Sequence, residues 1–183
     1  ISSAASDVYK RQLRHGTVTA KIDGMALEIT TYRTEKGYTD GRHPDKVDFV
    51  ARIEDDLLRR DFTVNAMAYH PTRGLCDPFG GQNDLQNGLI RAVGDPDVRF
   101  TEDALRILRG VRFVSKTGFA IERQTGYAMH RQLARLEAIA HERVLEELTG
   151  ILTGQYVGRA LRSCADIVAA VLPETVSYTH LRA

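Results

Sequence analysis

Within residues 101–116, Thr-Glu-Asp-Ala-Leu-Arg-Ile-Leu-Arg-Gly-Val-Arg-Phe-Val-Ser-Lys, one carboxylate and three guanidiniums recur at every third position: Asp103, Arg106, Arg109 and Arg112. The stretch has no proline and predicts a helix that starts near Thr101, with Thr101 as its cap and Glu102 and Asp103 in the first turn, where the helix dipole favours negative charge. On a helix of about 3.6 residues per turn each such step drifts back by roughly 60°, so the four wind as a ladder around the side opposite an apolar arc of Ala104, Ile107, Leu108, Val111 and Val114. A carboxylate only accepts hydrogen bonds and a guanidinium only donates them. Cytosine and adenine each present an exocyclic amino donor beside a ring-nitrogen acceptor, where uracil and guanine carry a carbonyl. One Asp with one Arg is therefore able to accept C and A and reject U and G, leaving the other arginines for phosphates. The plainer alternative is a solvated charged face steadied by a Glu102–Arg106 (i, i+4) pair, worth about 0.2–0.5 kcal/mol. Spacing alone leaves both readings open.

Two further groups have the residue types for chemistry. Arg59-Arg60-Asp61-Phe-Thr-Val-Asn65-Ala ends a short helix predicted over residues 53–60; on its own it reads as two arginines facing a helix C-terminus and an aspartate capping the next helix. Glu28 lies in a predicted hairpin. Val18, Ala20 and Ile22 alternate with polar residues, Asp23-Gly24 supplies a two-residue turn, and Met25, Leu27 and Ile29 resume the alternation. Pairing about that turn sets Ile22 opposite Met25, Ala20 opposite Leu27 and Val18 opposite Ile29, an apolar face, and puts Glu28 on the other face with Thr19, Lys21 and Thr30. Taken alone, Glu28 is a solvent-facing strand residue.

The block Glu102-Asp-Ala-Leu-Arg-Ile-Leu-Arg-Gly-Val-Arg-Phe113, preceded by Arg91-Ala-Val-Gly-Asp-Pro-Asp-Val-Arg-Phe100, resembles the neck motif of class II CCA-adding enzymes (tRNA nucleotidyltransferases) and the related bacterial poly(A) polymerases. Arg-Arg-Asp-Phe-Thr-x-Asn-Ala is similar to that family's ribose- and phosphate-binding motif, and His15-Gly-Thr-Val-Thr with Leu27-Glu-Ile-Thr-Thr-Tyr-Arg33 is similar to its catalytic head. The resemblance implies that Asp103 and Arg106 are the template for the incoming CTP or ATP, with Arg109 and Arg112 as further nucleotide contacts. It also implies Arg60 on phosphate or ribose, Asp61 on the ribose hydroxyls, Asn65 as local support, and Glu28 as the third carboxylate of a catalytic Mg2+ site. Thr39-Asp-Gly-Arg-His-Pro44, within a proline- and glycine-bearing loop expected over residues 33–46, resembles the family's flexible loop that helps the site change from C to A. Asp-Pro-Phe-Gly-Gly-x-x-Asp-Leu, residues 77–85, resembles its head-to-neck joint, so Gly80-Gly81 is expected to be structural rather than a phosphate nest. Asp95-Pro-Asp97 sits in a proline turn and is not read as a metal pair. Glu142-Arg143 resembles a motif that braces the template helix.

The expected fold is α+β: a partial polymerase-β-type nucleotidyltransferase head, made of an antiparallel hairpin and short helices over residues 13–93, then an all-helical neck over residues 94–175. Past Gly118 the pattern is wholly helical, with segments at 124–140, from 141, and 157–172. Residues 1–12 and 176–183 carry no such pattern and read as foreign tails. The family's Gly-Gly-x-Val-Arg-Asp loop and its strand-borne Asp-x-Asp do not occur in the sequence. Glu28 alone cannot hold two metals, so this chain is expected to be an inactive piece of an enzyme that adds C, C and A to tRNA 3′ ends. The alternatives are a poly(A) polymerase, a CC- or A-adding relative, or a non-catalytic nucleotide- or RNA-binding relic.

Charge and composition narrow little further. In 183 residues, 25 basic side chains nearly balance 24 acidic ones, so RNA binding must come from local patches. Two cysteines, Cys76 and Cys164, make neither a disulfide framework nor a zinc site, and His130 and His141 lack companions at ligand spacing. With no apolar run near the ~20 residues of a membrane span, a cytoplasmic protein is expected.

Overall fold

A computed structural model describes residues 8–9, 17–22, 24–36 and 46–172. The hairpin forms in the register read from sequence. Strands β2 (Thr17–Ile22) and β3 (Met25–Thr30) pair antiparallel with Ile22 opposite Met25 and Val18 opposite Ile29, and Gly24 takes a φ of 81° in the turn. A two-residue strand β1 (Val8–Tyr9) adds to β2, within a stretch whose sequence shows no strand alternation. The expected loop over residues 33–46 is instead flanked by a second antiparallel pair, β4 (Arg33–Lys36) with β5 (Lys46–Phe49). The flexible-loop residues 39–44 lie outside the described residues.

Helix α1 (Ile53–Leu58) leads into a 3-10 turn at Thr63–Asn65, then the small pair β6 (Ala68–His70) and β7 (Gly74–Cys76), then α2 (Gly81–Asn87). The Asp77 carboxylate accepts from the backbone N–H of Gly81 and Gln82, so a carboxylate fills the start of α2 and the Gly-Gly is structural. Those two N–H donors hold Asp77 below the usual carboxylate range despite slight burial, which acts the other way. A Cβ at Gly81 would sit 2.3 Å from the Thr63 carbonyl oxygen, so only glycine lets α2 approach the 3-10 turn this closely.

The predicted helix over 101–116 is two helices. α3 (Pro96–Glu102), capped by Asp95, ends at Asp103, whose backbone is extended (φ −148°, ψ 103°); α4 (Leu105–Thr117) comes next. The reason is local: the Asp103 side chain accepts from the Leu105 N–H, so the aspartate offers the backbone a cap in place of another turn. Thr101 is thus in the last turn of α3 and caps nothing. The apolar arc is correct, with Ala104, Ile107, Leu108, Val111 and Val114 all at most 5% exposed.

The rest of the chain wraps α4. A parallel bridge between β8 (Leu89–Ile90) and β9 (Ala120–Ile121) corrects the all-helical expectation past Gly118. Segment 124–140 breaks at Gln132 into α5 (Arg123–Arg131) and a 3-10 turn, and segment 157–172 breaks at Cys164 into α7 (Val157–Ser163) and α8 (Ala165–Val171). α6 (His141–Leu152) forms as read and packs on α4. One apolar core runs from Ala92 to Val168 around α4; a smaller one joins Leu57, Ala66 and Val93. No described helix is long and apolar enough to cross a membrane.

Candidate functional site

Phe62 fixes the site. It is fully buried, meets Phe113 edge-on at 5.7 Å, and lies 3.2 Å from where a Cβ on Gly110 would be, so the Arg-Arg-Asp-Phe segment is pinned against α4. The segment is also hydrogen-bonded to residues 91–93, Thr63 N to Arg91 O at 2.9 Å and Val93 N to Asp61 O at 3.1 Å. Below it the buried Asp84 accepts from Thr63 Oγ1 at 2.7 Å and from Arg91 Nε at 3.0 Å. Asp84, from the Asp-Pro-Phe-Gly-Gly-x-x-Asp-Leu block, thus clamps the segment that carries Asp61 to the segment at residues 91–93.

The result is an open cavity of about 510 Å³ between that segment and the start of α4, lined by Arg59, Arg60, Asp61, Asn65, Asp103, Arg106, Arg109 and Arg143 among others. Its volume is that of a small-molecule site, about 300–1,000 Å³. Five guanidiniums against two carboxylates suit an anionic ligand that also offers amino or hydroxyl donors.

Each side chain is held differently. Asp103 gives Oδ1 to the α4 cap and Oδ2 to Arg143 Nη2 at 2.9 Å, leaving acceptor capacity on both oxygens. Arg106 is 9% exposed; Nη1 donates to Arg99 O and Glu102 Oε2, and Nη2 to Arg59 O, three of its five N–H bonds. The Glu102–Arg106 pair is therefore present at 2.7 Å, yet it orients a half-committed guanidinium toward the cavity instead of decorating a solvated face. Arg60 donates to Asp56 Oδ2 at 3.2 Å and is 42% exposed along its side chain. Asp56, 3% exposed, is raised by burial but held below the usual carboxylate range by Arg59, the Arg33 N–H and Arg60.

Asp61 does not cap a helix. Oδ1 accepts from Phe62 N and Asn65 Nδ2, and Oδ2 from Arg109 Nε at 2.8 Å and Nη2 at 2.7 Å. Burial works against the charge of Arg109, but Asp61, and more weakly Glu147, keep it more firmly protonated than usual.

Six of the residues singled out from sequence, Arg60, Asp61, Asn65, Asp103, Arg106 and Arg109, thus come together. Two do not. Arg112 turns to Glu147 on α6, Nη1 to Oε1 at 3.2 Å. Glu28 is exposed on β3 opposite Thr19, and no group of three His, Cys, Asp or Glu side chains among the described residues is placed to hold a metal. The donor set does not fit a two-metal site. Asp95 caps α3 and Asp97 pairs with Arg131, so neither serves a metal. His130 pairs with Asp166, and His141 is exposed at the start of α6. Sequence reasoning missed Asp56, Asp84 and Glu147, isolated acids whose burial has no local signature.

The family model described as Poly A polymerase head domain matches residues 2–91, and that described as Probable RNA and SrmB-binding site of polymerase A matches residues 118–176. The CCA-adding enzyme of Oceanobacillus iheyensis is 45% identical over 155 residues, 85% of this chain. The chain belongs to the family of CCA-adding enzymes and bacterial poly(A) polymerases. The CCA-adding enzyme of Bacillus cytotoxicus, another member, is 45% identical over 169 residues, 92% of this chain. Among solved members, the Bacillus stearothermophilus CCA-adding enzyme in complex with CTP superposes with a TM-score of 0.78 at 40% identity over 87% of this chain, and the Thermotoga maritima CCA-adding enzyme complexed with tRNA-CCA with 0.73 at 28% over 93%. The chain spans about two fifths of these relatives, 39% and 41% of the first two and 38% and 39% of the solved pair. The head match begins at residue 2, inside the stretch the sequence pattern assigns to a tail.

Proposed function

We propose that the cavity between Arg-Arg-Asp-Phe and α4 selects CTP and ATP, and that the protein to which this chain belongs adds C, C and A to tRNA 3′ ends. The observation that carries it is the pairing of a carboxylate with spare acceptor capacity, Asp103, and a guanidinium with spare donors, Arg106, on one wall of a cavity whose other wall is arginine-rich. Asp103 accepts the exocyclic amino group of cytosine or adenine and Arg106 donates to the adjacent ring nitrogen; a carbonyl at that position would face a carboxylate. Arg60 takes the triphosphate, Asp61 the ribose, with Asn65 supporting it and Arg109 at the nucleotide. Arg112 acts one layer behind, through Glu147, so its role is support of Arg109 rather than contact.

The head is assigned to residues 13–93 and the neck to 94–175; the two apolar cores meet at this junction, Ala92 belonging to the larger and Val93 to the smaller. Mg2+ is the cofactor implied for the whole protein, with Glu28 as one ligand. Among the described residues no group of three His, Cys, Asp or Glu side chains is placed to hold a metal, so the 183 residues alone are proposed to bind nucleotide without transferring it. The macromolecular partner is cytoplasmic tRNA.

The test gives the full-length protein a tRNA ending before CCA together with each nucleotide alone. Use of CTP is expected; use of ATP alone would make the protein an adenylating relative. Mg2+-dependent CTP addition by the 183-residue chain would overturn its assignment as binding-only.

A further inference from the structure

Glu147 stands behind the cavity. It is 3% exposed; its Oε1 accepts from Arg112 Nη1 at 3.2 Å and lies 4.0 Å from Arg109 Nη1. Its Oε2 has no hydrogen-bond partner, and among the described residues it is the buried side-chain atom left so. A buried carboxylate oxygen without a donor is costly where the dielectric is low. An orphaned oxygen calls for an explanation, and a donor that reaches it in another state supplies one.

The donor is next to it. Arg109 is held between two carboxylates, with Nε and Nη2 on Asp61 Oδ2 and Nη1 toward Glu147. Asp61 already accepts four hydrogen bonds, the full capacity of a carboxylate, so a ribose hydroxyl can be accepted there only if a present donor leaves. Phe62 N is fixed by the backbone, and Asn65 holds the other oxygen. Arg109 is the donor that can move, and it would otherwise leave its charge unpaired.

Resting on the reading that the cavity takes a ribonucleotide, we infer that Glu147 is a positioning residue that gives Arg109 a second seat: ribose hydroxyls take Asp61 Oδ2, and the guanidinium moves onto Glu147, where Oε2 accepts it. No covalent bond changes and no proton is transferred; one set of charge-assisted hydrogen bonds replaces another. Recognition of the sugar is thereby tied to Arg109, three residues after Arg106 on α4. A 2′-deoxyribose, with one hydroxyl fewer, does not drive the exchange.

Titration calorimetry of the 183-residue chain with CTP and with 2′-deoxy-CTP tests the inference in wild type and Glu147→Gln. Wild type is expected to prefer CTP by about tenfold; the variant is expected to bind CTP about tenfold more weakly and 2′-deoxy-CTP within about twofold of wild type, erasing the preference. Equal weakening of both nucleotides would mean a merely structural Glu147 and would overturn the inference. A ligand-free arm judges the second seat separately, by hydrogen exchange of the Arg109 guanidinium in labelled protein. In Asp61→Asn the exchange is expected to stay slow, and to become fast only when Glu147→Gln is added; equally fast exchange in the single and double variants would remove the seat. Failure of wild type to bind either nucleotide would overturn the ribonucleotide reading, with the ligand-free arm still deciding whether Arg109 has two seats.

Discussion

α4 and the β2–β3 hairpin carry equally clear apolar patterns and end in opposite surroundings. The α4 stripe is buried on every member, enclosed by α6 and α7, whereas Met25, Leu27 and Ile29 on the hairpin are 63%, 44% and 57% exposed. Their acids differ in the same way. Asp103 and Asp61 sit in networks of arginines, while Glu28 is exposed across from Thr19. A pattern fixes local conformation and which residues share a face; whether that face becomes core or site depends on what else packs there. The start of α4 accordingly lines the cavity with charged side chains, and none of the hairpin's described residues does.

The largest effect expected from this contrast is at Phe62. Phe62→Ala should cost about 3–5 kcal/mol in urea unfolding, because it opens a cavity between Phe113 and Gly110 where both walls of the site meet. A loss below about 1 kcal/mol would mean that the segment is not anchored on α4. Next comes Asp84→Ala, which removes the acceptor of buried Thr63 Oγ1 and of Arg91 Nε, leaving Arg91, among the described residues, only Glu122, and should cost about 3 kcal/mol by the same measurement. Since Asp84 lies beneath Asp61 rather than in the cavity, weakened nucleotide binding should accompany the lost stability.

Acid should act on the same region. Asp56, Asp77 and Glu122 all have folded-state pKa values below their ordinary ones, Glu122 because backbone and side-chain donors at Gln124 and Thr125 outweigh its burial. The unfolded chain then binds more protons than the folded chain as pH falls, so their stabilisation is complete above about pH 5 and is lost progressively below about pH 4. Urea midpoints measured from pH 7 to pH 3 should stay level and then drop; a midpoint that rises toward pH 3 would contradict these pairings. The smallest effects belong to the hairpin: Glu28→Gln should change stability by less than about 0.5 kcal/mol, as for other exposed sites.

The parts of this contrast that were legible in the sequence are those written in local spacing. Asp-Gly between alternating strands gives the hairpin register, and the 3.6-residue period gives the α4 stripe. The Asp103 break was not legible, because an aspartate two residues before Leu105 reads as a first-turn acid until its side chain is seen capping the second helix. The breaks at Gln132 and Cys164 were hidden likewise by continuous apolar spacing. Of the ladder, Arg106 and Arg109 turn toward the cavity and Arg112 away from it because a buried acid 35 residues later, Glu147, attracts it. Long-range partners of that kind leave no trace in spacing.

The proposed reading of the base by Asp103 and Arg106 is tested most directly by the affinity of the 183-residue chain for CTP, ATP, UTP and GTP, each titrated into wild type and Asp103→Asn. A carboxylate–guanidinium template predicts CTP and ATP at least about tenfold tighter than UTP and GTP, with the gap closing in the variant, whose amide both donates and accepts. Four equal affinities in wild type, or a preference that survives Asp103→Asn, would contradict it.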